Sequence, residues 1–364
     1  MINKAQLLMF CSLLLAGCSG DGDGRDVPVS ETDKTEIRLA ADVWNVMEGT
    51  RATTYDNAAA LQTEAHFTCT AYEANSNPLV AYIPTTTVDW IDGSSRWGFN
   101  SGNDHYYWPA TGNLDFFAYM PAEKPSYITG PTYSIVESAP QASFTCADLP
   151  MTYNASDTEA GQGSSLQEFV WGLTVGQNKT DQGASGVTMK FRHPFARIKF
   201  QLAANHPDIQ INSITFKGLK TGGTCTLDAT GKDGNYYTTS VWSSLTPDVG
   251  GSDLVMTLAS KDGEGKWVTA PVNTFNDNPD DETVPIGGWT ESAHQFVDLL
   301  VIPQTWAGEI VVNANCLYWG EKKNYPSLTT TVPTNWQPGY SYTYTFNISP
   351  DDLIVNVAKF TEQW

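Results

Sequence analysis

Positive charge is scarce in this chain. Its 364 residues carry 20 basic against 40 acidic side chains, a net charge of −20. A surface of that sign repels phosphate backbones unless a local basic cluster overrides the field. None is present. The densest basic stretch sets Lys190, Arg192, Arg197 and Lys199 among apolar residues at alternating positions, the pattern of a strand's polar face, and nucleic-acid binding is set aside. Catalytic signatures are missing too: there is no Gly-x-Ser-x-Gly elbow, no Gly-x-x-x-x-Gly-Lys loop, no His-Glu-x-x-His helix and no dinucleotide fingerprint. The five histidines, His66, His105, His193, His206 and His294, are dispersed, and no Cys-x-x-Cys or Cys/His zinc spacing occurs. No catalytic residue, metal ligand or cofactor is therefore assigned. His193, before Pro194 in an apolar stretch, fits a satisfied structural histidine better than a base. The acidic run 277–282 is a solvated loop by default and a calcium loop in the alternative.

Helix-period runs and charge are also sparse, with only 16% charged residues, while 30 Gly and 20 Pro supply turns. Hydrophobic residues make up 41% and aromatics 12%, enough for packed cores. Period-2 runs recur at Ile37 to Val43, His66 to Tyr72, Leu114 to Tyr119, Val187 to Leu202, Ile209 to Phe216, Glu309 to Leu317, Tyr340 to Ile348 and Leu353 to Phe360. Many short strands between Gly, Asp and Ser turns predict an all-β chain of sandwiches. Two polar, Gly/Ser-rich stretches, 154–165 and 176–186, interrupt the pattern, and the second is the expected domain junction because a strong strand starts at Val187.

Lys4, the apolar run Ala5 to Leu15 and Leu15-Ala16-Gly17-Cys18 together resemble a bacterial lipoprotein signal. Small residues let a peptidase close on the backbone before Cys18, whose thiol would carry diacylglycerol. The acidic, flexible residues 19–24 resemble the surface-export signals of some Gram-negative lipoproteins. Cys69, Cys146, Cys225 and Cys316 stay in the folded part, where disulfides and buried free thiols are both open. The 12 Trp offer a glycan platform: Trp108, Trp306 and Trp336 sit at strand edges, and Trp90 and Trp97 lie in the polar-alternating stretch 85–97, although core packing accounts for most of them.

Several segments in consistent order resemble the fimbrillin family. Tyr107-Trp108-Pro109 and Leu114-Asp115-Phe116-Phe117-Ala118-Tyr119-Met120-Pro121 are similar to its first-domain signature. Asp148-Leu149-Pro150-Met151 and the segment from Met189 to Phe200 resemble its passage into a second domain, and residues 299–304 and 336–344 resemble its late strands. The resemblance implies two Greek-key, transthyretin-like β-sandwich domains in tandem. It also implies a type V pilus subunit, exported as a lipoprotein, trimmed by proteolysis at the surface and polymerised by strand donation.

Two segments fit strand exchange on their own pattern. Ile37, Leu39, Ala41 and Val43 alternate on one face of a removable first strand, and Leu353, Val355 and Val357 do so in a C-terminal donor. After the first strand comes Gly49-Thr50-Arg51-Ala52-Thr53-Thr54, an extended small-residue loop suited to an Arg-specific protease, with cleavage between Arg51 and Ala52. Residues 52–364 keep 15 basic and 32 acidic residues, a net charge of −17. The expected organisation is a signal peptide over 1–17, a propeptide with the removable strand over 18–51, sandwiches over 52–186 and 187–348, and a donor strand over 349–364. The expected partners are other pilus subunits, of the same or different kind, the outer membrane through the precursor's lipid, the protease and an unassigned surface receptor. A cell-surface fimbria is the expected location and adhesion the role. The alternatives are a tip or accessory adhesin, which the short end after the donor leaves open, and a monomeric surface lipoprotein binding glycans through exposed aromatics.

Overall fold

The structure, a computed structural model, describes residues 34–43, 58–63, 66–150, 152–153, 167–183, 185–203, 209–247, 250–257, 259–261, 267–269, 272–273, 283–285, 299–318, 321–349 and 352–363. Almost all of the regular structure in them is strand, as the period-2 runs and turn residues predict. The principal strands are β1 (Leu39–Val43), β2 (His66–Glu73), β3 (Ala81–Ile91), β4 (Arg96–Phe99), β5 (Leu114–Met120), β6 (Ile128–Val136), β7 (Ala139–Cys146), β8 (Val170–Gln177) and β9 (Val187–Phe191). They continue as β10 (Ala196–Ala203), β11 (Ile209–Leu219), β12 (Gly222–Leu227), β13 (Ser240–Thr246), β14 (Ser252–Thr257), β15 (Glu309–Tyr318), β16 (Glu321–Thr331), β17 (Tyr340–Ser349) and β18 (Asp352–Gln363). Two short helices, α1 (Ala58–Thr63) and α2 (Lys179–Gln182), join strands. No helix among the described residues is long and apolar enough to cross a membrane.

The first sheet runs β9-β1-β4-β3-β2-β5-β8 and then the short strands Tyr236–Tyr237 and Lys232–Asp233. It curls until β8 meets the end of β9. Trp171 N donates to Arg192 O at 3.1 Å and Arg192 N returns the bond to Trp171 O at 2.8 Å. Gly172 permits this approach, since a Cβ there would stand 2.7 Å from Lys190 O. Enclosed within is a first core that includes Phe67, Ile83, Trp97, Phe116, Val187 and Phe191.

The strands β5 and β8 are buried on both faces. Phe116, Ala118 and Met120 enter the first core, while Phe117 joins Trp171 and Leu173 in a second. That second core is covered by a sheet in the order β13-β12-β7-β6, whose Phe144 meets Trp171 edge-on at 4.6 Å. A buried carboxylate ties these layers together. Asp115 Oδ2 accepts from Tyr133 Oη at 2.6 Å and Oδ1 from Gly176 N at 2.7 Å. Burial, reinforced by the Asp115 bond and charge, pushes the Tyr133 hydroxyl far above its usual range.

A third pair of sheets forms a sandwich. One runs β16-β15-β11-β14 and the other holds β10-β17-β18. Phe216 of β11 meets Tyr344 of β17 edge-on at 5.2 Å, and Trp306 stacks on Trp336 at 5.5 Å. The described part of Thr35–Trp364 is one compact unit. The stretch 176–186, expected to join two sandwiches, instead turns the chain inside the first sheet, where Asn178 caps α2 by accepting from Asp181 N at 3.0 Å. Likewise β9, expected to open the second sandwich, pairs with β1 because Val187, Met189 and Phe191 face the first core. Further along, β12 returns to pair with β7. Cys69, Cys146 and Cys225 are buried free thiols, and burial pushes Cys69 and Cys146 up to about 12 and Cys225 well above its usual value.

Candidate functional site

The segment expected to be removable is a stave of the closed sheet. Along one flank β1 runs parallel to β9, from Leu39 opposite Val187 to Val43 opposite Phe191. On the other flank it is antiparallel to β4, with Leu39 opposite Trp97. Upstream of that pair the chain holds a separate segment. Ile37 N donates to Tyr106 O at 2.7 Å, and Thr35 O accepts from Trp108 N at 3.0 Å. One wall of the slot is thus a single strand and the other is built from two pieces.

Alternation decides what the stave buries. Ile37, Leu39 and Val43 are 2%, 6% and 4% exposed and belong to the first core, whereas Arg38 and Asp42 between them face solvent. Full burial of side chains this size stabilises by about 1.5–3 kcal/mol each, so the three together hold the segment by roughly 5–9 kcal/mol. The seam with β4 is tight, enclosing about 10 Å³ of free space. Gly186, at φ +83°, allows Val187 N to reach Arg38 O at 2.8 Å, and a Cβ at that position would lie 2.9 Å from the same oxygen. At the surface, Glu36 Oε1 lies 2.6 Å from His105 Nδ1, and Oε2 lies 3.7 Å from Arg38 Nε. Exposed pairs of this kind add little to the hold, about 0–1 kcal/mol.

The C-terminal segment occupies a different kind of position. β18 is the last strand of its sheet, paired with β17 along its length. Leu353, Val355 and Val357 stand opposite Ile348, Phe346 and Tyr344. The pairing partners Phe346 and Tyr344 are buried. Within β18, Ile354 is 49% exposed. The segment expected to serve as donor is therefore folded onto its own chain as an edge strand.

Other sequence-derived candidates separate clearly. Cys18, Arg51, Ala52 and the acidic run 277–282 lie outside the described residues. Among the described residues no aromatic glycan platform forms. Trp97, Trp108, Trp306 and Trp336 are buried, and Trp90 packs edge-on against Trp97 at 5.5 Å. Trp97, Trp108, Trp306 and Trp336 sit in cores and Trp90 is partly buried against one; Trp306 Nε1 donates to Lys217 O at 2.9 Å and Trp336 Nε1 to Tyr344 Oη at 3.1 Å. His193 is structural, buried with its Nδ1 2.7 Å from Glu168 Oε1. Two parts of the slot were not anticipated: the role of Trp97 opposite Leu39, and Val187–Phe191 as its parallel wall. The alternation of Val187, Met189 and Phe191 was visible, but nothing local says which core a strand will face.

Comparison with known proteins places these features in context. The family model described as fimbrillin-like matches residues 50–364. No curated protein matches the sequence. Among solved structures the chain is similar to a fimbrial protein from Bacteroides vulgatus, at 15% identity over 91% of this chain and 99% of that one, with a TM-score of 0.57. It also matches a protein proposed to act in cell adhesion from Bacteroides ovatus, at 14% identity over 91% and 98% of the two chains and a TM-score of 0.48. A third match is the fimbrial anchor protein Mfa2 from Porphyromonas gingivalis, at 8% identity over 91% and 99%, with a TM-score of 0.34.

Proposed function

Because this chain belongs to the fimbrillin-like family, we propose that it is a structural pilus subunit of a cell-surface appendage, serving the stalk and contributing to adhesion. It is exported as a lipoprotein held to the outer membrane through Cys18. An Arg-specific protease cuts between Arg51 and Ala52, which frees β1 together with the lipid-bearing segment. A neighbouring subunit then fills the slot with its C-terminal strand. Single subunits extend the fibre with copies of themselves or with other subunits of the same pilus.

The observation that carries this reading is the position of β1, an interior stave whose apolar side chains complete a core and whose continuation in sequence reaches a cleavable arginine. While tethered, the strand is present at its own slot at an effective concentration of about millimolar or more, and no incoming strand competes. Cleavage ends that advantage. The donor pattern Leu353, Val355 and Val357 repeats the spacing of Leu39, Ala41 and Val43, and β18, bonded to one neighbouring strand, is easier to detach than an interior strand. A second reading, a tip or accessory subunit, rests on the same edge strand. If β18 stays folded on its own chain, the subunit accepts a donor and gives none.

Size-exclusion chromatography before and after limited trypsin treatment tests the proposal. The wild-type precursor should shift from monomer to polymer once cleavage after Arg51 is verified by mass spectrometry. Arg51→Ala should leave a full-length monomer. A precursor that stays monomeric after verified cleavage overturns the stalk assignment, and uptake of a synthetic peptide covering residues 352–363 by that monomer would then identify the tip reading.

A further inference from the structure

A cavity of about 460 Å³, lined by both polar and apolar surface, opens where three turns converge, and strand exchange makes no use of it. Its lining includes Arg192 from the end of β9, Asp233, Thr238 and Thr239 from the hairpin before β13, and Gln337 and Tyr340 from the turn before β17. The walls are anchored by backbone and buried bonds. Arg192 Nε donates to Tyr237 O at 3.0 Å, and Gly339 N, at φ +70°, donates to Phe195 O at 2.8 Å and holds its turn against residues 193–195. Burial draws the Arg192 guanidinium down to about 9, and the nearby charge of Asp233 pushes it partly back up.

The chemistry of the lining selects its ligand. With His193 and Ser240, which also line it, the cavity offers one guanidinium, one carboxylate, an imidazole, three hydroxyls, an amide and a phenol, so its fixed charges come in both signs. A ligand with one net charge would meet its like in the lining, and an anion would also meet the field of a chain carrying −20. An apolar ligand would strip water from these groups and leave their hydrogen bonds unmade. Hydroxyl groups both donate and accept, so a neutral polyol can donate to Asp233, accept from Arg192 and bond the threonines and Gln337, while its C–H face lies on the Tyr340 ring. The volume falls within the range of small-molecule sites, about 300–1,000 Å³. We propose that this cavity binds one or two residues of a neutral saccharide, giving the subunit a receptor site separate from its assembly slot.

Asp233 and Thr239 are exposed, so changes there spare the cores. Saturation-transfer NMR on the folded full chain would use glucose, galactose, mannose and N-acetylglucosamine as probes, with glucuronic acid as the charged control. At least one neutral sugar should receive saturation from the wild type. Its affinity should fall about ten- to hundredfold in Asp233→Ala and severalfold in Thr239→Val, with melting temperatures unchanged and trypsin-triggered polymerisation intact. Absence of saturation for every neutral sugar, equal binding by both variants and wild type, or a preference for glucuronic acid would each overturn the proposal without touching the assembly reading.

Discussion

Substituting Leu39 by alanine should convert a slow strand release into a fast one. Leu39 lies at the one position where β1 is paired on both flanks, opposite Val187 and Trp97, and is 6% exposed. Truncating a leucine so placed costs about 2–5 kcal/mol. In the tethered precursor most of that loss is absorbed, because the strand cannot leave. After cleavage the same loss falls on the dissociation of the freed segment, and at 1.4 kcal/mol per tenfold it speeds release by roughly thirtyfold to several thousandfold. The assay mixes trypsin-cleaved subunit with a fluorescent peptide covering residues 352–363 and follows anisotropy as the peptide takes the vacated slot. Arg38→Ala is the control, since among the described residues the exposed Arg38 side chain pairs with Glu36 alone, at 3.7 Å, and its loss should change the rate by less than about threefold. Equal rates for Leu39→Ala and Arg38→Ala, with cleavage verified in both, would refute the claim that burial of β1 controls exchange.

Further outcomes follow from the same geometry. Gly186→Ala should hasten release by about tenfold in the same assay, because a side chain at φ +83° is strained and presses on Arg38 O; an unchanged rate would show that this contact is not part of the hold. Val355→Asp with Val357→Asp should abolish fibre growth visible by electron microscopy, since an unpaired carboxylate in an apolar slot costs several kcal/mol, whereas Ile354→Asp, at a position 49% exposed, should leave it intact. Cys18→Ala should lose incorporation of a clickable palmitate analogue, and undiminished label would disprove lipidation there. Burial pushes the Cys69 and Cys146 thiols up to about 12, so at pH 8 these two cysteines of the native protein should resist a thiolate-directed reagent that labels them at once in the denatured chain. Because these folded values lie above the unfolded value of 9.0, the unfolded chain sheds protons first and the thiol contribution to stability declines between pH 9 and 12.

Local pattern exposed much of the fold. The alternation of Ile37, Leu39, Ala41 and Val43 gave both the strand and its buried face, because side-chain period is a property of a few adjacent residues. The same rule failed on β5 and β8. Their runs are buried on both faces because a second sheet, from residues as distant as Cys225, covers the side that alternation assigns to solvent. Stretch 176–186 has linker composition, yet polar Gly-rich residues serve equally to turn a chain within one sheet. The partners of β1 were equally hidden, since Val187 pairs with Leu39 across 148 residues of sequence and nothing near either residue names the other. Buried polar pairs such as Asp115 with Tyr133 and Glu168 with His193 escape sequence reading for the same reason. The tryptophans are ambiguous in sequence because an indole beside proline suits a sugar platform and a sandwich core alike.

The bond pair between Trp171 and Arg192 that closes the first sheet has a consequence for colloidal behaviour. An open sheet that size would offer two raw margins to any chain it met, and only like-charge repulsion would keep copies apart. Repulsion is a fragile guard, because physiological salt screens it beyond about 8 Å. Closure at this bridge, and the cover of Tyr236–Tyr237 on β8, leave only short stretches of margin open. Crowding or raised ionic strength should therefore leave this sheet of the precursor inert, as nothing in either can lift a stave out. Under the proposed function the signal that starts growth would be a covalent cut, irreversible and made once per molecule, so the number of competent subunits would count proteolytic events rather than concentration.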